Sequence, residues 1–410
     1  MQEKQSEKAI LISADVGEYD CEASVDELSE LAKTAGAEEI ARVIQKRAAY
    51  EPATVIGEGK LEELTELCQN LEATLLIFDC ELTAAQIRNI EKETNVRTID
   101  RTMLILDIFA ARARSSEGKL QVELAQLKYR LPRLMGIGAS LDKLGGGIGT
   151  RGPGETQLET DRRHIRRRID KLSEELKELT ERRGYSRQRR KKDNVQVGAI
   201  VGYTNAGKST LLNLLTGADV LAEDKLFATL DPTARAIELP DGRSLLLVDT
   251  VGLIRRLPHH LVEAFKSTLE EAACADIIIH VCDVSDSDFA EKADVTLKTL
   301  AELGAAEIPV VTVLNKCDKI DENISTDDHT VKISALKNQG IDDLLQTIAR
   351  NLPQTSRRMK LLLPYDKAGL SAAIRENGRV FSEEYTENGI LTDALVDIML
   401  IKQMTEFEVD

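Results

Sequence analysis

Short apolar runs alternate with helical spacings through the first hundred residues. Residues 9–13, 38–45, 74–78 and 96–99 are apolar or β-branched stretches of strand length. Between them, residues 25–35, 59–68 and 83–94 carry apolar side chains at three- and four-residue intervals, with Ala84, Ile87 and Ile90 on one face, and Arg101 opens a further helix. Strand and helix in turn predict a parallel sheet. The rhythm then changes. Leu120, Leu124, Leu127, Leu131 and Leu134 are spaced four, three, four, three, and Leu158, Ile165, Ile169, Leu172, Leu176 and Leu179 keep the same beat. Two helices with one apolar stripe each predict an antiparallel hairpin that packs like a coiled coil. Strand-like runs return at 195–201, 244–248 and 308–314, with a helix at 341–352. The chain closes on a strand at 360–363, a helix at 367–376 and strands at 378–386 and 389–401. The expectation is a multidomain α/β protein: an N-terminal parallel α/β domain over 1–114, a helical arm over 115–192, a third domain over 193–353 and a small α+β domain over 354–410.

Candidate chemistry is concentrated in the third domain. Gly202-Tyr203-Thr204-Asn205-Ala206-Gly207-Lys208-Ser209 reads G-x-x-x-x-G-K-S, between a strand and a helix. This is the spacing and setting of a phosphate-binding loop. Gly202 and Gly207 permit backbone geometry closed to other residues. Successive N–H groups and a helix N-terminus then face the phosphates. Lys208 is the candidate for the β/γ-phosphates and Ser209 for Mg²⁺. Asp249-Thr250-Val251-Gly252 follows the next strand in a D-x-x-G arrangement, placing a carboxylate near Mg²⁺ and the Gly252 N–H at the γ-phosphate. Asn315-Lys316-Cys317-Asp318 reads N-K-x-D. The Asp318 carboxylate can accept hydrogen bonds from guanine N1 and N2, and adenine offers no such donors. Ser334-Ala335-Leu336 stands where most GTPases carry S-A-K, so only the backbone contact to guanine O6 is expected. The four motifs, in this order and each after a strand, predict binding of GTP.

Phe227-Ala228-Thr229-Leu230-Asp231, followed by Pro232 and Thr233, lies between the first two motifs, where a second hydroxyl for Mg²⁺ is expected. Thr229 and Thr233 are both candidates. Lys208, Thr229 and Gly252 form the candidate catalytic set, and Ser209 and Thr229 the candidate metal ligands. The position after D-x-x-G, where Ras-like proteins hold the water-orienting glutamine, is Leu253 and is followed by Ile254. Slow intrinsic hydrolysis is therefore expected. Asn205 raises the expectation that K⁺ assists near the β/γ-phosphates.

Charge adds a partner. The whole chain carries a net −16, yet residues 101–192 hold 23 Lys and Arg against 12 Asp and Glu. A polyanion-facing segment on an acidic protein is implied. Eight glycines lie within residues 136–154, at the tip of the predicted hairpin. Such a loop builds no core, and long loops of this kind are commonly functional. Lys143, Gly145, Gly146, Gly147, Gly149, Arg151, Gly152, Arg162 and Arg163 are candidate RNA contacts, because guanidinium groups suit phosphates and glycine backbone can approach RNA closely. Residues 185–192 read as a basic linker. Gly57-Glu58-Gly59-Lys60 resembles a second phosphate loop but lacks the spacing and the following Ser or Thr, so turn geometry and helix entry are expected there. Six scattered cysteines without metal spacing suit reduced thiols in a cytoplasmic protein. No long uncharged apolar run predicts a membrane span. With no tryptophan and few aromatic residues, base stacking is not the expected mode.

The combination of G-Y-T-N-A-G-K-S, F-A-T-L-D-P-T and D-T-V-G-L-I-R-R-L-P-H resembles the HflX family of ribosome-associated GTPases. So do I-G-x-G-K-x-E-E-L near the N-terminus and G-G-x-G-T-R-G-P-G-E-T-Q-L-E-x-D-R-R in the arm. F-A-T-L-D-P is similar to the F-T-T-L-x-P switch of Obg and HflX GTPases, which favours Thr229 over Thr233. The resemblance implies a GTPase that uses Mg²⁺ and binds the large ribosomal subunit; a monomer is expected. It also implies that the glycine-rich loop reaches the peptidyl-transferase region and that stalled ribosomes are split or recycled. Two other readings remain open on the residues alone. One is a regulatory GTPase that meets a protein partner through the arm. The other is an ATP-dependent RNA remodeller using the N-terminal domain, for which no motif speaks.

Overall fold

A computed structural model describes residues 6–134, 153–192, 195–217, 226–227, 233–256, 272–320 and 324–409. Internal contacts divide the chain into two units. The first comprises Met1–Glu181, Glu223–Asp231 and Ile254–Ser267; the second comprises Arg182–Ala222, Pro232–Leu253 and Thr268–Asp410. Lys143, Gly145, Gly146, Gly147, Gly149, Arg151 and Gly152 lie outside the described residues, as do Ala228, Thr229, Leu230 and Asp231.

The first unit is built on a parallel sheet of β1 (Glu7–Asp15), β2 (Ala37–Lys46), β3 (Leu75–Phe78) and β4 (Arg97–Asp100), in the order β2-β1-β3-β4. β1 and β3 are apolar runs buried on both faces, as central parallel strands must be. Helices Cys21–Ala35, Glu58–Leu71 and Ala84–Thr94 link the strands, and Arg101–Arg112 follows the last. Their starts follow from local chemistry. The Asp20 carboxylate accepts from Ala23 N, Thr83 and Gln86 close a capping box, and the Asp100 carboxylate accepts from Met103 N. Gly36, at φ +90°, ends the first helix in the left-handed conformation. Ile10, Ile12, Leu64, Leu76, Phe78 and Ile90 are essentially fully buried, each stabilising the unit by about 1.5–3 kcal/mol. The turn at Gly57 is the N-cap of its helix, and Lys60 pairs with Glu63 at 2.5 Å, so this stretch serves helix entry.

The arm holds helices Ser116–Arg133 and Pro153–Lys192. Two points differ from the spacing. Leu120, Leu127 and Leu131 are only half buried, whereas Gln121, Val122, Leu124, Ala125 and Tyr129 are buried. The first arm helix therefore turns a different face inward, and the Tyr129 hydroxyl donates to the Asp100 carboxylate. On the second helix Leu172 is fully buried, while Ile165, Ile169, Leu176 and Leu179 are half buried. Arg168 bridges the helices by a two-pronged bond to Glu123, at 2.7 and 2.8 Å. The expected linker at 185–192 is helical, since Arg, Lys and Gln are good helix formers.

The second unit holds a six-stranded sheet in the order β10-β9-β8-β5-β7-β6. Its strands are β5 (Gln196–Gly202), β6 (Thr233–Glu238), β7 (Ser244–Asp249), β8 (Ile277–Asp283), β9 (Val310–Asn315) and β10 (Thr330–Lys332). All pairs are parallel except β6 with β7. Ile200, Leu211, Leu247, Ile279, Val313 and Leu344 belong to its core, with the helix Ile341–Asn351 packed on one face. An antiparallel sheet follows, in the order β11 (Ser356–Leu363), β13 (Gly389–Asp397), β12 (Arg379–Thr386). The expected last strand over 389–401 stops at Asp397. There the carboxylate accepts from Met399 N and starts the helix Ile398–Met404. A register shift between Val380 and Ser382 leaves Phe381 out of the ladder, and its ring lies under the Arg358 guanidinium, 4.4 Å from the centroid. A Cβ added at Gly242, which has φ +85°, would come within 2.7 Å of that ring, so the tight β6–β7 turn accepts no larger residue.

Candidate functional site

β5 is buried along its length and delivers the loop that leads into the helix Lys208–Thr216. Two glycines make this path feasible. A Cβ on Gly202, at φ +152°, would fall 2.2 Å from the Val281 carbonyl oxygen. One on Gly207, at φ +96°, would fall 2.3 Å from Asn315 Nδ2. Gly207 is also the N-cap, so the first N–H groups of the helix open toward the loop. Lys208 Nζ is buried and donates to the carbonyl oxygens of Gly202 (3.1 Å) and Tyr203 (2.8 Å). Burial lowers its pKa to about 8, and the Asp249 carboxylate partly offsets that shift.

The D-x-x-G segment sits beside this loop. Asp249 ends β7, and its Oδ2 accepts from Ser209 Oγ at 2.8 Å. Thr250 Oγ1 donates to the Ile200 carbonyl at 2.7 Å, and Val251 is buried. Thr204 N donates to Leu253 O at 2.8 Å, and Leu253 N to Gly202 O at 3.2 Å, which ties the two loops together. A Cβ on Gly252 would lie 2.7 Å from Thr204 Cγ2 and 3.0 Å from Lys208 Nζ, so this position too has room only for glycine. Ser209 and Asp249 supply hydroxyl and carboxylate oxygens at a helix N-terminus, a donor set suited to Mg²⁺. Thr233, the other candidate hydroxyl, starts β6 and has a buried oxygen without a hydrogen-bond partner.

The residues of N-K-x-D and Ser334-Ala335-Leu336 converge on the same end of the sheet. Asn315 Nδ2 donates to Ala206 O at 2.8 Å, and Asn315 Oδ1 accepts from Ala335 N at 3.0 Å, so one buried side chain joins three motifs. Lys316 Nζ reaches Asn205 O (2.9 Å) and Asp283 Oδ2 (2.5 Å). Cys317 and Asp318 follow in a short 3₁₀ turn. The Ser334 hydroxyl donates to Asp318 Oδ1 at 2.7 Å, and this bond keeps the carboxyl below the usual range. Lys337 Nζ stands 3.5 Å from the other oxygen. Leu336, in place of the expected lysine, is 82% exposed.

Residues 22–110 match a family described as GTP-binding GTPase N-terminal, 112–190 one described as GTP-binding GTPase Middle Region, and 197–316 one described as 50S ribosome-binding GTPase. A GTPase HflX of Caldanaerobacter subterraneus subsp. tengcongensis is 53% identical over 404 residues, covering 98% of this chain and 94% of that protein. The chain belongs to the HflX family of GTPases. The HflX of Lacrimispora saccharolytica is 49% identical over 98% of this chain and 96% of its own length. That of Escherichia coli K12 is 42% identical over 89% of this chain and 87% of its own length. As an HflX-family member the chain is a GTPase: it binds GTP and hydrolyses it.

Other contacts of this HflX-family chain were not visible from its motifs. In the first unit Asp79, at the end of β3, is fully buried and accepts from Arg101 Nη1 (2.8 Å), Ser24 Oγ (2.6 Å) and Arg256 Nη1 (3.0 Å). Arg101 also reaches Glu27 at 2.9 Å and the Arg255 carbonyl at 3.1 Å, and Arg256 covers the Tyr19 ring at 3.7 Å. Arg255 and Arg256 belong to this first unit. Phe227, in the same unit, has a buried ring that meets Phe109 edge-on at 4.6 Å. In the second unit His280 is buried on β8, where burial and then the Lys208 charge lower its pKa to about 4. Among the described residues no helix is long and apolar enough to cross a membrane.

Proposed function

We propose that this HflX-family GTPase is a cytoplasmic, monomeric factor that binds the large ribosomal subunit in its GTP state and splits or recycles stalled ribosomes. The observation that carries this reading is the match of residues 197–316 to a 50S ribosome-binding GTPase family. The arm supports it: Arg163, Arg166 and Arg167 are exposed on one long helix beside the half-buried Arg162. In this reading the chain works as four modules, 1–114, 115–192, 193–353 and 354–410. The arm, with Lys143, Gly145, Gly146, Gly147, Gly149, Arg151, Gly152, Arg162 and Arg163, meets ribosomal RNA.

Within the third module, residues 202–209 cradle the phosphates. Lys208 meets the β/γ-phosphates, and the Gly252 N–H bonds the γ-phosphate. Phe227 to Asp231 and Asp249 to Gly252 form the switches that GTP orders. Asp318 accepts from guanine N1 and N2, while Asn315, Lys316, Ser334 and Ala335 hold the base pocket. Ser209, Thr229 and Asp249 would hold Mg²⁺, which would neutralise phosphate charge when bound. Asn205 supports a role for K⁺ in turnover; equal hydrolysis rates in KCl and NaCl would remove that role.

Sucrose-gradient analysis of 70S ribosomes tests the reading. Incubation with the protein and GTP is expected to move ribosomes into separated subunits. The double change R162E/R163E is expected to weaken binding to the large subunit and flatten its salt dependence. Intact 70S particles at saturating protein would overturn the splitting role. Salt-independent binding would instead point to a protein partner for the arm.

A further inference from the structure

Hydrolysis of GTP needs a group that orients the attacking water, and the usual glutamine position offers none. Leu253 is apolar and 4% exposed, and Ile254 beside it is 2% exposed. Thr204 lies next to that position. Its side chain is 7% exposed, and its hydroxyl oxygen is buried without a hydrogen-bond partner. A buried hydroxyl left unpaired costs about 1–3 kcal/mol, so such a group is expected to meet a partner in the working state. The backbone and the methyl group place this side chain beside the D-x-x-G segment. Thr204 N is bonded to Leu253 O at 2.8 Å. The space beside Gly252 is bounded by Thr204 Cγ2 at 2.7 Å and Lys208 Nζ at 3.0 Å from an added Cβ. Thr204 therefore shares one small space with the two groups assigned above to the γ-phosphate.

We propose that Thr204 is a catalytic residue: its hydroxyl accepts a hydrogen bond from the attacking water and donates one to a γ-phosphate oxygen. The water oxygen forms its bond to the γ-phosphorus as the bond to the β–γ bridging oxygen breaks. The electron pair leaves with GDP, and the water proton ends on the released phosphate. The threonine is unchanged by the step; it orients the nucleophile, as glutamine does in Ras-like enzymes. The backbone bond to Leu253 makes its placement depend on the D-x-x-G segment, so the hydroxyl is in position only when that segment is. The inference rests on Lys208 and Gly252 serving the γ-phosphate. A Lys208→Ala variant that bound GMPPNP as tightly as the native chain would defeat that assignment, independently of any result at Thr204.

The test compares full-length T204V, T204S and native protein without ribosomes, in single-turnover hydrolysis at saturating GTP. GDP affinity is measured in parallel. Valine keeps the shape and loses the hydroxyl; serine keeps the hydroxyl. Valine is expected to slow the step about a hundredfold, the scale of losing one oriented donor, with GDP affinity within about twofold of native. Serine is expected to hydrolyse within about threefold of native. Native hydrolysis by T204V, or a rate for T204S as low as that of T204V, would overturn the proposal. So would a loss of GDP affinity in T204V equal to its loss of rate, which marks a purely structural role. Should T204V fail to bind GDP, T204A carries the same comparison.

Discussion

The two larger sheets of this chain, one all-parallel and one with a single antiparallel edge, end in opposite chemistry. In the first unit the strand ends gather carboxylates: Asp79 and Asp100 are fully buried and are answered by Arg101, Arg256, Arg133 and Tyr129. In the second unit the strand ends gather backbone N–H groups, one buried lysine and the hydroxyls of Thr204 and Ser209. Ligands of open α/β sheets bind outside the carboxyl ends of the strands, and both sheets have such an end. Only the second is built to take an anion. The first is already filled by guanidinium groups from its own unit, one of them, Arg256, from the stretch directly after D-x-x-G. Fold alone therefore does not place the function; the loops do.

The comparison breaks most directly at Asp79. Asp79→Ala leaves two guanidinium groups without their shared carboxylate, and a loss of about 3–5 kcal/mol is expected in denaturant unfolding of the full chain. A loss below about 1 kcal/mol would mean that the acidic cluster is not what holds this end together. The second sheet should respond through ligand instead. Asp318→Ala is expected to weaken GDP binding about a hundredfold, since two hydrogen bonds to a carboxylate are lost. Asp318→Asn should recover binding for xanthosine diphosphate, whose carbonyl replaces the guanine amine. Unchanged GDP affinity in both variants would remove Asp318 from base recognition.

Two smaller effects sharpen the contrast by pH. His280 has a native pKa of about 4, below its ordinary value, because burial and the Lys208 charge disfavour the proton. The unfolded chain takes up that proton first, so stability is lost as pH falls below about 6.5. Between pH 6.5 and 5 the loss is about 1.5 kcal/mol, and His280→Gln should flatten the profile by that amount in parallel melts. Lys208 behaves in the opposite sense toward ligand. Its pKa of about 8 in the nucleotide-free protein rises when phosphates surround it, so binding takes up a proton above that pH. GDP affinity is expected to fall about threefold from pH 7.5 to 8.5. Calorimetry in two buffers of different ionisation enthalpy reads the proton directly, and identical heats at pH 8.5 would contradict the assignment.

What could be read from the sequence was what lies close along the chain. The phosphate loop, D-x-x-G and N-K-x-D are each short, and each follows an apolar strand, so spacing revealed them. Asp79, Arg101 and Arg256 escaped, because the bonds from Asp79 span 22 and 177 residues and no local pattern marks them. Phe227 read as a switch residue, yet its burial against Phe109 depends on a helix more than a hundred residues earlier. The apolar run Ile398-Met399-Leu400-Ile401 fits strand or helix equally by periodicity, and the Asp397 cap decides for helix. Residues 185–192 read as a linker from charge alone, where helix propensity was the better guide.

The most direct test of the central claim, that GTP at the second sheet commands an RNA-binding arm, is co-sedimentation with large ribosomal subunits. It is run with GMPPNP, with GDP and without nucleotide, for the native chain and for a variant lacking residues 145–154. Pelleting with GMPPNP only, lost in the deletion variant, is the result predicted. Equal pelleting in all three nucleotide states, or full binding by the deletion variant, would contradict it.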